Sequence, residues 1–166
     1  MYKTPIKILQ LEKGDYHTLL NGSVAGEKIR IVLDTGASHS CVDKSFVNKL
    51  FPDREMEKNE GVNAGIGGTD FEVLVTDLPD FKIGHYHQKL MQNVAVIDFA
   101  HINMAYEALH LKPVQMILGN DFCVNHKAVI DYENNKFCFR KTKKRANRQQ
   151  WLKEYSLNSP EGARAG

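Results

Sequence analysis

A mostly β domain with two or three short helices, closing into a barrel-like or sandwich core, is the fold class this sequence predicts. Three observations predict it. Apolar residues recur in short runs, not at helical spacing over long stretches. Gly, Asn and Pro punctuate those runs as turn formers do. The 166 residues, 42% hydrophobic and 25% charged, suit one globular domain with a core of its own.

Taken in order, residues 6–10 alternate weakly, with Ile6, Ile8 and Gln10 on one face of a strand. Residues 16–24 and 27–33 are two strand-like runs around Ala25-Gly26, a hairpin signature. The second run turns continuously apolar at Ile31-Val32-Leu33, as a strand entering a core does. Asp43 is placed to cap a short helix carrying Phe46, Val47 and Leu50, stopped by Pro52; the helical segment is taken as Cys41 to Phe51. A glycine cluster follows at 61–68, then strand-like 71–75, 82–84 and 93–97. Residues 101–110 predict a helix with Ile102, Ala105, Tyr106 and Leu109 on one face. Met116-Ile117-Leu118 predicts a short buried strand meeting Gly119, and 121–124 a short helix. Ala128 to Asp131 and Lys136 to Phe139 flank a hairpin turn at Asn134-Asn135. The domain is expected to span 1–140. Residues 141–166 read as a basic, flexible tail with a helical segment around Trp151, Leu152 and Tyr155.

Several function classes are disfavoured. No long apolar run predicts a membrane helix, and the N-terminus does not read as a signal peptide. The net charge of +2 is too small to imply nucleic acid. The basic run from Arg140 to Arg148 lacks aromatic interleaving, so nucleic-acid binding is not expected of it. Cys41, Cys123 and Cys138 are odd in number and far apart, which argues against a disulfide framework or a zinc site. A cytoplasmic location is the expectation. His85 and His87 share strand spacing, but His101 and His110 do not complete a metal site, so no metal or other cofactor is expected.

The chemistry-bearing segment is Val32-Leu33-Asp34-Thr35-Gly36-Ala37-Ser38. A carboxylate stands where a buried strand ends in a glycine turn. There it is expected to be partly desolvated and held rigidly, as a catalytic acid or base must be. Gly36 is expected to let the backbone bend sharply and another chain approach. The hydroxyl of Thr35 is available to the backbone.

Asp34-Thr35-Gly36-Ala37 after two apolar residues resembles the signature of the aspartic peptidases. Gly65-Ile66-Gly67-Gly68 resembles their flap hairpin, and Ile117-Leu118-Gly119-Asn120 the segment that crosses behind the catalytic loop. The three occur in the family's order, over roughly residues 16–140. One Asp-Thr-Gly, with no second copy of the motif, is similar to the single-domain retropepsin-like branch. The resemblance implies a closed or partly open β-barrel of the acid protease fold. It also implies a homodimer that pairs Asp34 with its twin, and a peptide or protein substrate. Asp34, Thr35 and Gly36 are then the catalytic residues. Ala37, Ser38, Gly65, Ile66, Gly67, Gly68, Ile117 and Leu118 are the substrate-binding ones. A catalytically idle copy of the fold, used for binding or dimerisation, is the alternative.

The chain departs from the retroviral pattern. Ser38 stands where those members carry aspartate, and Asn120 where they carry arginine. About thirty residues separate Asp34 from the flap glycines, a longer spacing than theirs. Segments such as Ile117 to Phe122 and Ile130-Asp131-Tyr132 are closer to cellular and bacterial retropepsin-like domains. Ala37 replaces a serine of some relatives. Losing that donor to the charged carboxylate implies activity at less acidic pH.

Overall fold

The computed structural model describes residues 1–59 and 73–141. Eleven strands and three short helices make up these residues. The strands are β1 (Tyr2–Pro5), β2 (Lys7–Gln10), β3 (Tyr16–Val24), β4 (Glu27–Leu33), β5 (Cys41–Asp43), β6 (Glu57–Asn59), β7 (Val73–Ile83), β8 (Tyr86–Ile97), β9 (Met116–Leu118), β10 (Val129–Asp131) and β11 (Lys136–Phe139). The helices are α1 (Lys44–Leu50), α2 (Ala100–Ala108) and α3 (Asn120–Asn125).

Six strands close on themselves in the order β3-β4-β9-β5-β8-β7, with β7 pairing back to β3. Closure removes the free edges an open sheet would carry. It requires a close approach at Gly22, which pairs with Ile83. A Cβ at Gly22 would stand 2.6 Å from the Lys82 carbonyl oxygen and 2.8 Å from Ile31 Cδ1. β2 extends the ring beside β3, and β6 beside β7. A separate three-stranded sheet runs β1-β11-β10.

The continuous apolar runs have a physical explanation. Both faces of these strands are covered. Ile31 and Leu33 enter the main core, with Met116 and Leu118 of β9, Val42 of β5, and Val94 and Val96 of β8. The residues between them, Val32, Cys41, Ala95 and Ile117, face a second cluster with Phe99, Tyr106 and Val114. Phe99 and Tyr106 bring α2 onto that outer layer. Phe122, Phe137, Phe139 and Tyr86 tie α3 and the small sheet to the main core.

Several expectations hold. Ala25 and Gly26 turn the β3–β4 hairpin with φ of 49° and 85°, as a two-residue turn needs. The Asp43 side chain accepts the Phe46 N–H and caps α1. The β10–β11 hairpin turns through Asn135 at φ 51°, and Asp131 Oδ1 accepts the Asn134 N–H.

Others are corrected. Cys41 to Asp43 is strand, not the start of a helix, because it is hydrogen-bonded to β8 on one side and β9 on the other. Residues 71–75 and 82–84 were expected as separate strands. One strand, β7, instead runs from Val73 to Ile83 through Pro79, with an irregularity between Thr76 and Leu78. The first strand is split at Ile6 between two sheets. On α2 only Tyr106 is buried and Ile102 half-buried, while Ala105 and Leu109 are exposed. His85 lies in the β7–β8 turn rather than on a strand, and His87 Nε2 meets Asp80 Oδ1 at 3.0 Å. The tail from residue 142 and the glycine cluster at 61–68 lie outside the described residues. No helix among the described residues is long and apolar enough to cross a membrane.

Candidate active site

The loop from Asp34 to Ser40 joins β4 to β5, and β9 runs between those two strands. β4 pairs with β9 in parallel, Leu33 opposite Leu118. β5 pairs with it antiparallel, Cys41 opposite Ile117. The loop therefore leaves and re-enters the sheet on either side of a single buried strand. Its entry is pinned where the Asp34 N–H donates to the Leu118 carbonyl at 3.1 Å. The turn closes through the Ala37 N–H to the Asp34 carbonyl at 3.3 Å.

Asp34 Oδ1 accepts the Gly36 N–H at 2.8 Å. That bond orients the carboxylate against its own loop. The chain turns sharply at Thr35-Gly36 as expected, and it does so without a positive φ at Gly36. Gly36 supplies room, since a Cβ there would meet Asp34 Oδ1 at 3.2 Å. Asp34, Thr35, Gly36 and Ser38 are exposed in the single chain, and Ala37 is half-buried. The expected desolvation of Asp34 is thus absent from one chain by itself. The Thr35 hydroxyl has no hydrogen-bond partner among the described residues.

Behind the loop, Gly119 permits a contact no other residue would. A Cβ there would lie 2.7 Å from the His39 carbonyl carbon and 2.9 Å from the Ala37 carbonyl oxygen. The Asn120 N–H donates to that Ala37 carbonyl at 2.7 Å. The Gly119 N–H donates to Ser40 Oγ at 3.0 Å. Ser40, 1% exposed, gives both its backbone N–H and its hydroxyl to Asp121 Oδ1, at 2.9 and 2.7 Å. Asp121 Oδ1 also accepts the Phe122 N–H at 2.8 Å, at the first turn of α3. Ser40 was not picked out from the sequence. The one signal available was a polar residue immediately before a buried apolar strand.

Ile117 and Leu118 sit differently from their expected substrate-binding role. Leu118 is fully buried in the main core and Ile117 is half-buried against the second cluster. Both support the loop from behind, Leu118 through its carbonyl. Gly65, Ile66, Gly67 and Gly68 lie outside the described residues, in the connection from β6 to β7. Among the described residues, no group of three or more His, Cys, Asp or Glu side chains is placed to hold a metal.

Burial pushes the Cys41 thiol up to about 12, helped by the Asp121 and Asp34 carboxylates. Cys123 is pushed up to about 11, by burial first and then by Asp121. Neither thiol is a nucleophile at neutral pH.

A closed barrel presenting one Asp-Thr-Gly loop over a buried supporting strand defines the class as retropepsin-like. The sequence model of the family described as aspartyl protease matches residues 20–122. The chain belongs to that family. Among solved structures, a retropepsin-like aspartic protease from Rickettsia conorii is similar at 20% identity and a TM-score of 0.47, over 84% of this chain and 96% of that one. The retroviral protease-like domain of Ddi1 from Leishmania major is similar at 15% identity and a TM-score of 0.45, over 74% of this chain and 93% of that one. A comparison with curated proteins finds no match.

Proposed function

We propose that the protein is a homodimeric aspartic endopeptidase whose active centre is Asp34 paired with Asp34 of a second copy. The observation that carries this reading is the exposure of Asp34 on a loop held at both ends. Its strand is buried, its carboxylate is bonded to the Gly36 N–H, and the chain holds one such motif. The Thr35 hydroxyl, without a hydrogen-bond partner among the described residues, is available to the opposite loop across a two-fold axis.

In the dimer the two carboxylates share one proton, the established behaviour of aspartic-peptidase dyads. The ionised Asp34 takes a proton from a water held between the pair. The water oxygen bonds to the scissile carbonyl carbon. The carbonyl π electrons move to its oxygen, which takes the proton of the other Asp34. Collapse of the tetrahedral intermediate returns one hydroxyl proton to the Asp34 that is now ionised, reforms the carbonyl and breaks the C–N bond, and the leaving nitrogen takes the proton held by the other Asp34. Substrate binds as an extended strand, with main-chain hydrogen bonds for affinity and alternating pockets for specificity.

Cleavage of a peptide library by wild type and Asp34→Ala, with and without pepstatin, tests the reading. Cleavage that pepstatin blocks and the variant lacks is the expected result. Equal cleavage by the variant would remove the peptidase assignment. No cleavage by either protein would point to a binding module.

A further inference from the structure

Sheet register sets His17 beside the catalytic carboxylate. The β3–β4 ladder ends with Thr18 opposite Leu33, so the next position outward is His17 on one strand and Asp34 on the other. Both are still held there. His17 pairs with Leu9 of β2, and the Asp34 N–H continues the β4–β9 pairing by donating to the Leu118 carbonyl. Opposed residues in such a ladder have Cβ atoms about 4.5–5.5 Å apart, and the first residues beyond its end start from that spacing. Strand alternation also puts the two on one face. Leu19 and Val32 face the second cluster, and His17 and Asp34 are two residues further along. Cys41, a member of that cluster, has the Asp34 carboxylate among the charges that raise its thiol.

The His17 ring is half-buried and held at one nitrogen. Its Nδ1 lies 2.7 Å from the Tyr106 hydroxyl. Tyr106 is 1% exposed, and burial pushes its phenol above the ordinary value of 10, so it keeps its proton at neutral pH. A buried hydroxyl facing one ring nitrogen donates to it, and neutral His17 then carries its own proton at Nε2. That nitrogen has no hydrogen-bond partner among the described residues. Leu9, Leu11 and Ile102, half-buried on the same layer, are apolar. A fixed ring with one free N–H among apolar neighbours is how a pocket selects one polar group of a ligand.

We infer that His17 determines specificity at the Asp34 site, selecting substrates with an acidic side chain beside the scissile bond. The inference rests on the peptidase reading above and deepens it. In that reading the scissile carbonyl lies against Asp34. The side chains flanking it belong to residues one Cα spacing, about 3.8 Å, apart. A ring beside Asp34 is in reach of one of them. The dyad carries a negative charge and repels a second carboxylate brought next to it. A donor that meets the incoming carboxylate offsets that repulsion, and His17 Nε2–H donates whether the ring is neutral or protonated. Tyr106 is a positioning residue: its hydroxyl holds Nδ1 and leaves Nε2 for the substrate.

A peptide library first gives a cleaved sequence. Synthetic copies then carry Glu or Gln, alike in shape and different in charge, at each residue flanking the scissile bond in turn. They are assayed above the ordinary Glu value of about 4.3, where the acid is ionised. The readout is the ratio of kcat/KM for the Glu and Gln members, which does not depend on how much of the enzyme is folded. Wild type is expected to favour Glu at least about tenfold at one of these positions, as a hydrogen bond to a charged group allows. His17→Leu is expected to erase that preference, and Tyr106→Phe to lower it through KM more than through kcat. His85→Leu, at an exposed histidine of the β7–β8 turn, is the control and is expected to keep the wild-type ratio. A wild type that cleaves both members equally, or a His17→Leu variant with the wild-type ratio, overturns the inference and leaves the peptidase reading standing. Should His17→Leu not fold, Tyr106→Phe carries the test, and an unchanged ratio there overturns the inference as well. A wild type that cleaves no peptide removes the peptidase reading and the inference together.

Discussion

One oxygen of Asp121 receives both donors of Ser40, its backbone N–H at 2.9 Å and its hydroxyl at 2.7 Å, across 81 positions of sequence. Ser40 Oγ in turn accepts the Gly119 N–H. The pair joins the exit of the Asp34 loop to the start of α3, while the Asp34 N–H to the Leu118 carbonyl holds its entry, so that both ends of the loop are fixed beside one buried strand. Ser40→Ala removes one donor to Asp121 and leaves the Gly119 N–H without its acceptor. That change costs about 1–3 kcal/mol of stability. Under the peptidase reading kcat falls while KM changes little, because the loop holds the reacting carboxylate. Asp121→Asn keeps an acceptor oxygen and is expected to be milder than Asp121→Ala in both measurements. Urea unfolding and steady-state kinetics on the three variants check this. A Ser40→Ala protein with wild-type midpoint and kcat would show that the linkage positions nothing.

Gly119→Ala and Gly22→Ala separate loop geometry from barrel stability. Both would place a Cβ under 3 Å from backbone, against His39 and Ala37 in the first case and Lys82 in the second. Each is expected to cost about 1–3 kcal/mol or more, since backbone cannot move aside cheaply. Only Gly119 touches the Asp34 loop. At temperatures where both variants remain folded, Gly119→Ala is expected to lose activity and Gly22→Ala to keep it. Equal activity losses per unit of lost stability would remove the distinction.

Local signals made much of this legible. Ile31-Val32-Leu33 before Asp34 announced a strand covered on both faces. Ala25-Gly26 and Asn134-Asn135 announced turns, and Asp43 a cap. What escaped was set by distant neighbours. Cys41 to Asp43 is too short to show a period, and it is a strand because β8 and β9 flank it. Proline is disfavoured inside a strand, yet β7 runs through Pro79 at a position opposite Leu90. Ser40 drew no reading from the sequence because its partner, Asp121, is 81 positions away on α3. The Ile117-Leu118 pair matched its motif, but strand alternation puts Leu118 in the core and Ile117 on the other layer.

Thiol chemistry should report the layering directly. Cys41 and Cys123 are buried, and their thiols are pushed up to about 12 and about 11. Cys138 is half-buried. Iodoacetamide reacts with thiolate, so at pH 8 the native protein is expected to be modified first at Cys138, and at Cys41 only on unfolding. Peptide mapping after timed alkylation gives the order. Early labelling of Cys41 in folded protein would contradict its place beneath the loop.

Stability is expected to fall on mild acidification through His126. Its ring is stacked on Phe122 at 3.9 Å between centroids and lies edge-on to Tyr86 and Phe139. Its Nδ1 lies 2.8 Å from the Arg140 carbonyl oxygen, which makes Nδ1 the protonated nitrogen of a neutral ring. Burial holds His126 below its ordinary value of 6.5, against the opposing pull of the Arg140 carbonyl and the Asp121 carboxylate. The unfolded chain therefore binds this proton more readily than the folded one. The stabilising contribution is fully present above pH 6.5 and is lost as pH falls through the lowered folded value. His126→Asn keeps a donor towards Arg140 and cannot titrate. It is expected to be less stable at pH 8, for want of the ring contacts, but to lose less on going from pH 7 to pH 5. Urea midpoints at several pH values compare the two slopes, and parallel slopes would mean that another group carries the acid sensitivity.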